Sequence, residues 1–199
     1  ICGDNTVTEL ELFNALNGIP DTGGTWTPVL AGAGTYIYTV SATTPCTGDS
    51  TAEVVVSEQP APNAGISNTL NICEGDTVTE TQLFDELGGS PNPGGDWTPA
   101  LAGAGTYTYT VVATSACTVD GTSEVVVTEE PTANAGIDGT LTICEGTTVT
   151  EAQLFNELTG SPDSSGNWTP TFAGAGTYTY TVMATSPCTA NDTSEVVVT

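Results

Sequence analysis

A strict internal repeat of 71 residues constrains this chain more than any other feature of its sequence. The ten residues AGAGTYTYTV occur at 102–111 and again at 173–182, and the near copy AGAGTYIYTV occurs at 31–40. The three tryptophans, at positions 26, 97 and 168, keep the same spacing. Because a fixed period determines how a repeat protein is built, the sequence predicts three copies of one small domain rather than one large globule.

The period divides the chain into three units, residues 1–57, 72–128 and 143–199, with connectors at 58–71 and 129–142. Each unit is close to the lower size limit for independent folding. The prolines of the connectors stiffen them, whereas their Ala-Gly pairs loosen them. The NTL and GTL ends of the connectors are candidates for the first strand of the following unit. Since the pattern runs up to both ends of the chain, we expect a mature fragment or a window cut from a longer array.

Each unit carries the signals of one short helix followed by several strands. In the third unit Thr150 is a good N-cap, Gln153 completes a capping box, and Gly160 ends the turn that follows. The later segment GTYTYTV alternates, so that Tyr178 and Tyr180 lie on one face of a strand. Short strands separated by Gly, Pro, Asn and Asp favour a β-sandwich. The predicted fold class is therefore all-β, with one short helix per sandwich.

The Gly-Thr-Tyr at the start of this strand resembles the tyrosine corner of immunoglobulin-like domains, with Tyr36, Tyr107 and Tyr178 as the corner residues. The earlier Trp168 suits the centre of the opposing strand. In antibody domains a cysteine stands two residues after the corner tyrosine, whereas here Tyr180 does. The sequence thus predicts three tandem immunoglobulin-like sandwiches.

The wider pattern LFxxLxGxPxxGGxWTPxLAGAGTYTYTV, followed by a cysteine and EVVVT, covers all three units. It resembles the immunoglobulin-like tandem repeats of very large bacterial surface proteins, including adhesins of gliding bacteria that are exported by type IX secretion. The resemblance implies secretion, a cell-surface or extracellular location, and an adhesive or spacer role.

Six cysteines at strict spacing, without His and without a CxxC motif, indicate disulfides rather than zinc. This usage predicts an oxidising, extracellular environment. The repeat favours one bond within each unit: Cys2–Cys46, Cys73–Cys117 and Cys144–Cys188. An alternative pairing joins neighbouring units across the connectors: Cys46–Cys73 and Cys117–Cys144.

The charge of the chain excludes several functions. It has 24 Asp and Glu residues and no Lys, Arg or His, for a net charge of −24. Nucleic acid and anionic membranes repel such a chain, because both are bound through Lys and Arg. A chain without His and Lys also lacks the usual general base and the Schiff-base amine. We therefore expect no enzyme activity and no cofactor.

Calcium is the ion that an acidic chain would bind through oxygen ligands. The candidate ligands are Glu129, Glu130 and Asp138, which cluster at the second connector. The alternative interpretation of these residues is a solvated acidic surface.

Glycans are the other candidate modification. The family resemblance implies O-glycosylation at Asp-Ser/Thr, which Thr77 and Ser50 fit, and Asn167 and Asn191 match the short Asn sequon. The alternative for the many threonines is strand propensity on exposed faces.

The expected function is that of an extracellular structural repeat protein, a segment of a bacterial surface fibre, filament or adhesin stalk. Its expected partners are neighbouring repeats or copies of itself, with strand exchange between chains as a less favoured route. The alternative is a multivalent adhesin that binds a ligand or surface glycan. Its contact would be the variable loop before each tryptophan, which reads DTGG, NPGG or DSSG.

Overall fold

The computed structural model describes every residue from Ile1 to Thr199 and consists mostly of β-strands. Three helices of seven residues interrupt them, and none is long and apolar enough to cross a membrane. The helices are α1 (Glu9–Ala15), α2 (Glu80–Glu86) and α3 (Glu151–Glu157). The strands are β1 (Thr25–Thr27), β2 (Gly34–Val40), β3 (Ser50–Val56), β4 (Asn68–Cys73), β5 (Asp96–Thr98), β6 (Gly105–Val111), β7 (Gly121–Glu130), β8 (Gly139–Leu141), β9 (Asn167–Thr169), β10 (Gly176–Val182) and β11 (Asp192–Val198).

The strands of each repeat lie in one sheet. The first sheet has the order β1-β2-β3, the second β4-β7-β6-β5 and the third β8-β11-β10-β9. In the third sheet β10 pairs antiparallel with β9 and β11, and β8 pairs parallel with β11. The connectors supply the extra parallel strand, because β4 contains the NTL segment and β8 is the GTL segment.

The position of the tryptophan differs from the prediction. Trp168 does not lie in an opposing sheet but pairs directly with Tyr180 across neighbouring strands, with ring centroids 4.9 Å apart. The reason is that a six-residue turn, 170–175, joins the two strands, so that they pair as sequential neighbours. The face of the sheet that carries the tyrosines is covered by α3, whose Phe155 meets Tyr180 edge to face at 5.5 Å. Each repeat is thus one sheet packed against a helix and irregular segments, rather than two facing sheets.

The helices begin as their sequences predict. The Thr8 hydroxyl accepts from the Glu11 amide, and the Glu11 carboxylate accepts from the Thr8 amide at 2.8 Å, which completes a capping box. Thr150 and Gln153 make the same box. The central leucine of each helix is buried, at 0–2% exposure for Leu12, Leu83 and Leu154. Capping therefore fixes the start of the helix, and this leucine fixes its buried face.

The tyrosines of GTYTYTV explain why this segment is repeated. The Tyr178 hydroxyl donates to the Gly174 carbonyl at 2.8 Å and accepts from the Ala173 amide at 2.9 Å, as a tyrosine corner does. The Tyr180 hydroxyl donates to the Asp163 carbonyl at 2.6 Å. Both rings are buried. One strand thus anchors two separate loops, and the corner bond recurs at Tyr36 and Tyr107.

Contacts divide the chain into two compact units. The first comprises residues 1–66, 87–97 and 108–123, and the second comprises 67–86, 98–107 and 124–199. Their boundary passes through the second repeat, whereas the sequence period places boundaries at the connectors. In the second unit the core contains Leu154, Tyr178 and Val196, all of them buried.

The capping box of the first repeat is expected to respond to acid. The Thr8 hydroxyl and amide donate to Glu11 and hold the pKa of this carboxylate below its ordinary value. A lowered folded-state pKa means that the box stabilises α1 above the ordinary value and is lost as the pH falls through the folded-state pKa. In an NMR titration the Thr8 amide should shift with a midpoint below that of an ordinary glutamate.

The other two repeats provide matched controls, because Gln82 and Gln153 accept there from Thr79 and Thr150. The amides of these threonines should show no comparable transition. Titration of the Thr8 amide at or above the ordinary glutamate value would contradict the assignment.

Candidate functional site

The most organised polar site is the first connector where it meets the second repeat. The Asn63 side chain donates to the carbonyls of Gly89 and Ser90 at 2.9 and 3.0 Å and accepts from the Gly65 amide at 2.9 Å. The Asn63 amide donates to the Asn92 side chain at 2.8 Å, and the Asn92 amide donates back to the Asn63 carbonyl at 2.7 Å. One asparagine thus uses both ends of its side chain and its backbone to hold the connector.

The second connector repeats this arrangement. The Asn134 side chain donates to the carbonyls of Gly160 and Ser161 at 3.0 and 3.1 Å and accepts from the Gly136 amide at 2.9 Å. Here Asp163 replaces the second asparagine and accepts from the Asn134 amide at 3.0 Å. The same fold of the connector is therefore compatible with an amide or a carboxylate at this position.

A glycine is required two residues after each asparagine. Gly65 has φ +87°, and a Cβ there would lie 2.6 Å from the Gly88 carbonyl oxygen. Gly136 has φ +86°, and its Cβ would lie 2.6 Å from the Thr159 carbonyl oxygen. The Ala-Gly pairs that the sequence suggests as flexible points therefore hold a fixed turn. The signal in the sequence was the Asn-Ala-Gly that both connectors share.

The disulfides join consecutive repeats, and the predicted pairing within each unit is wrong. The first cysteine of one repeat is bonded to the second cysteine of the next, 115 residues later, with a Cα–Cα distance of 4.8 Å. The alternative pairing across the connectors is also wrong. The bonds are Cys2–Cys117 and Cys73–Cys188, and Cys46 and Cys144 are exposed and unbonded.

Local pairing at the end of the first repeat explains this connectivity. Cys2 forms a parallel bridge with Gln59, which lies where the chain leaves the repeat. The loop between β6 and β7 lies against the same point: Ser115 donates to the Gln59 side chain at 2.7 Å, and the Gln59 amide group bonds to Thr114. Cys117 belongs to this loop and so meets Cys2.

The second junction is built in the same way. The Cys188 sulfur lies 3.4 Å from the Glu130 carbonyl oxygen, and the Glu74 amide donates to that carbonyl at 2.8 Å. The Glu74 carboxylate accepts from the Thr132 amide at 3.3 Å. The end of β7, Cys73 and the loop that carries Cys188 thus meet at one place.

The calcium candidates make separate contacts. Glu129 accepts from the Ala104 amide at 3.2 Å, Asp138 accepts from the Glu195 amide at 2.8 Å, and Glu130 contributes its backbone to the junction. No group of three or more His, Cys, Asp or Glu side chains is placed to hold a metal. The structure therefore does not bring the three candidates together as a site.

The glycosylation candidates are all exposed. Thr77, Ser50 and Asn167 have accessible side chains. Asn191 is also exposed, but its side-chain oxygen accepts from the Ala184 amide at 2.9 Å and closes the loop that carries Cys188. Modification at these four positions stays a prediction.

The variable loop lies beside an aromatic groove in the first repeat. The groove is lined by residues 22–24 of this loop together with Phe13, Trp26 and Tyr38. The rings of Trp26 and Tyr38 contact each other at a tilt of 43°, with centroids 4.9 Å apart. The groove thus combines a partly buried aromatic surface with backbone polar groups.

Peptide mapping without reduction is expected to recover Cys2 linked to Cys117 and Cys73 linked to Cys188. Trypsin has no Lys or Arg to cleave at, but cleavage after glutamate places the six cysteines in separate peptides. A maleimide added to the folded protein should label Cys46 and Cys144, because both are exposed thiols. Recovery of Cys2 linked to Cys46 would contradict this connectivity.

Comparison of the sequence with models of known protein families gave no match, and comparison with curated proteins gave no significant match. The likeness to the repeats of bacterial surface adhesins therefore rests on the sequence pattern alone.

Proposed function

We propose that the chain is a non-enzymatic, extracellular structural protein, a segment of a bacterial surface fibre, filament or adhesin stalk built from three copies of one β-rich repeat. The observation that carries the proposal is the pair of disulfides that join each repeat to the next. A bond within one repeat stabilises that repeat only. A bond between repeats keeps neighbours together when the chain is pulled.

The two disulfide loops overlap, which strengthens this argument. One loop spans Cys2 to Cys117 and the other spans Cys73 to Cys188, so that they share residues 73–117 of the second repeat. Unfolding of any one repeat therefore cannot let the chain extend to its full contour length. In the chain-entropy model each closed loop of this length stabilises the folded state by about 4–5 kcal/mol, and less for the second of two overlapping loops.

The net negative charge of the chain means that neighbouring repeats must be held together by links other than ion pairs. With no Lys, Arg or His, no side-chain cation can form an ion pair with the 24 carboxylates. Neighbouring repeats therefore repel one another at low ionic strength. Disulfides and the side-chain hydrogen bonds of Asn63 and Asn134 supply the cohesion that ion pairs cannot.

An extracellular location is supported by the disulfides themselves, because such bonds persist in oxidising compartments. The acidic surface also disfavours nucleic acid and anionic membranes as partners. Neighbouring repeats and other copies of the repeat are the partners that we propose for this structural role.

A second candidate function is a multivalent adhesin. The observation that favours it is the groove formed by Phe13, Trp26 and Tyr38 beside the variable loop, since aromatic faces suit carbohydrate binding. Weak sites on several repeats would gain affinity through multiplicity. Binding of a glycan by the intact chain that is lost in Trp26→Ala would favour this function.

Stretching single molecules tests the proposed mechanical role. With both disulfides formed, the shortest covalent path from Cys2 to Cys188 includes only the backbone from Cys73 to Cys117, which is 44 positions (117 − 73). The extension between Cys2 and Cys188 should therefore stop at about 150 Å, against about 630 Å after reduction.

Two variants serve as controls. Cys46→Ser removes an unbonded thiol and should leave the limit unchanged, whereas Cys117→Ser should raise it to about 240 Å, because the path then includes the backbone from Cys2 to Cys73. An oxidised chain that extends as far as the reduced one would defeat the proposed role.

A further inference from the structure

The chain contains one Asn-Gly pair, Asn17-Gly18, and it lies where α1 ends. Leu16 is the C-cap of α1, so that Asn17 is the first residue beyond the helix. The equivalent pairs of the other two repeats are Gly88-Gly89 and Thr159-Gly160. Neither of these pairs has a side-chain amide. The first repeat therefore carries at this position a chemical group that the other two lack.

The side chain of Asn17 is not held by the fold. It is exposed and makes no hydrogen bond. The side chains of Asn63, Asn134 and Asn191, in contrast, are each fixed by hydrogen bonds to main-chain groups. The carboxamide of Asn17 is therefore free to rotate towards its own main chain, where the nitrogen of the following residue lies.

Gly18 leaves this nitrogen open to reaction. It has φ +86°, and apart from its two chain neighbours no atom lies within 4 Å of the point where a Cβ would stand. Its amide donates no hydrogen bond to another residue. When an asparagine side chain closes a ring on the next nitrogen, a β-carbon on that next residue crowds the ring. A glycine in an open turn removes this hindrance and lets the backbone adopt the necessary angles.

The same exposure is found in a repeat on which a connector is bound. The Ile137 amide donates to the Thr159 carbonyl at 2.8 Å, and the Thr159 amide donates back at 3.3 Å. The side chain of Thr159 is nevertheless exposed, and the amide of Gly160, which has φ +81°, donates no hydrogen bond. An exposed side chain and a free glycine amide at this position are thus compatible with a bound connector. The reactivity of Asn17 does not depend on whether a connector lies against the first repeat.

We propose that Asn17 is a site of deamidation. The Gly18 nitrogen attacks Cγ of Asn17 and forms the new C–N bond of a succinimide ring. The Cγ–Nδ2 bond breaks, and the departing nitrogen takes the proton of the Gly18 amide and leaves as ammonia. Water then opens the ring at one of its two carbonyls and leaves either aspartate or isoaspartate. The overall reaction consumes one water and releases one ammonia, with no oxidant or other reagent.

The modification alters the backbone at the position where the other repeats hold their connectors. Gly88 and Thr159 each use their amide and carbonyl to pair with an isoleucine of the connector, Ile66 or Ile137. In isoaspartate the main chain runs through the side chain, which inserts a methylene between these two groups. An amide and a carbonyl spaced in this way no longer match a partner residue of ordinary length. Isoaspartate at this position therefore cannot form the pair of bonds that a connector makes.

Both products also add a carboxylate to a chain that already carries a net charge of −24. The new charge lies just beyond the C-terminus of α1, where a negative group is unfavourable because the helix dipole is negative at that end. This inference goes beyond the proposed function and does not depend on it, because ring closure requires only the local geometry of Asn17 and Gly18.

Mass spectrometry of the aged protein tests the site. The folded chain is kept in mildly alkaline buffer and then cleaved after glutamate, which places Asn14 and Asn17 in one peptide, 12–53. Fragment masses should show an OH in place of the NH2 at Asn17, and an isoaspartyl methyltransferase should methylate part of the product. Asn14 is the internal control, because it is exposed as well but lies within α1 and precedes Ala15. It should remain unchanged over the same time.

Variants separate the chemistry from its consequence. Gly18→Ala should suppress the conversion, and Asn17→Gln, which keeps the glycine and its turn, should do the same; circular dichroism verifies that each is folded. Thr159→Asn places an Asn-Gly pair beside a bound connector. This pair should convert too, and the purified isoaspartate form should lose the protection of the Ile137 amide from hydrogen exchange, whereas the Ile66 amide keeps its own.

Three results would overturn the assignment of the site: no conversion at Asn17, equal conversion at Asn14, or full conversion in folded Gly18→Ala. Failure of Thr159→Asn to convert would show that a bound connector blocks the reaction, against the proposal. Full protection of Ile137 in its isoaspartate form would overturn the proposed effect on the connector. None of these outcomes changes the extension limits expected for the internal disulfides.

Discussion

The hydrogen bonds of Asn63 and Asn134 are the interactions on which the rest of the structure depends. Each side chain satisfies two carbonyls of the following repeat and one amide of its own turn. The turn directs the chain into β4 or β8, which then pairs parallel with the last strand of that repeat. The first cysteine follows at the end of this segment. Without the asparagine the strand would lose its register, and the cysteine would lose the position from which it reaches the next repeat.

Much of one repeat could be predicted from its sequence, because the signals are local. The capping boxes at Thr8 and Thr150 and the corner tyrosines depend on residues within a few positions of each other. The disulfides could not be predicted in this way. The observed separation of 115 exceeds the predicted separation of 44 by one period, and a strict repeat looks the same after a shift by one period. The fixed turn in each connector could not be predicted either, because an Ala-Gly pair usually indicates flexibility. The asparagine that precedes the pair is what holds the turn.

The absence of cationic side chains accounts for how the junctions are built. A chain with 24 carboxylates and no Lys, Arg or His cannot hold neighbouring repeats together with salt bridges. It uses amide side chains, backbone groups and disulfides instead, together with carboxylates such as Asp163 and Glu74 that accept from backbone amides. In the helix caps, the charged Glu11 of the first repeat is replaced by Gln82 and Gln153 in the other two repeats.

Amide hydrogen exchange of the connectors tests the central claim most directly. If each connector is part of the following repeat, the Ile66 and Ile137 amides, which donate to Gly88 and Thr159, should be protected well above the rates of an unfolded peptide. In Asn134→Ala the protection of Ile137 should fall by about 1–3 kcal/mol, whereas that of Ile66 in the other connector should not change. Exchange of both amides at unfolded-peptide rates in the parent protein would show that the connectors are flexible linkers and would contradict the account.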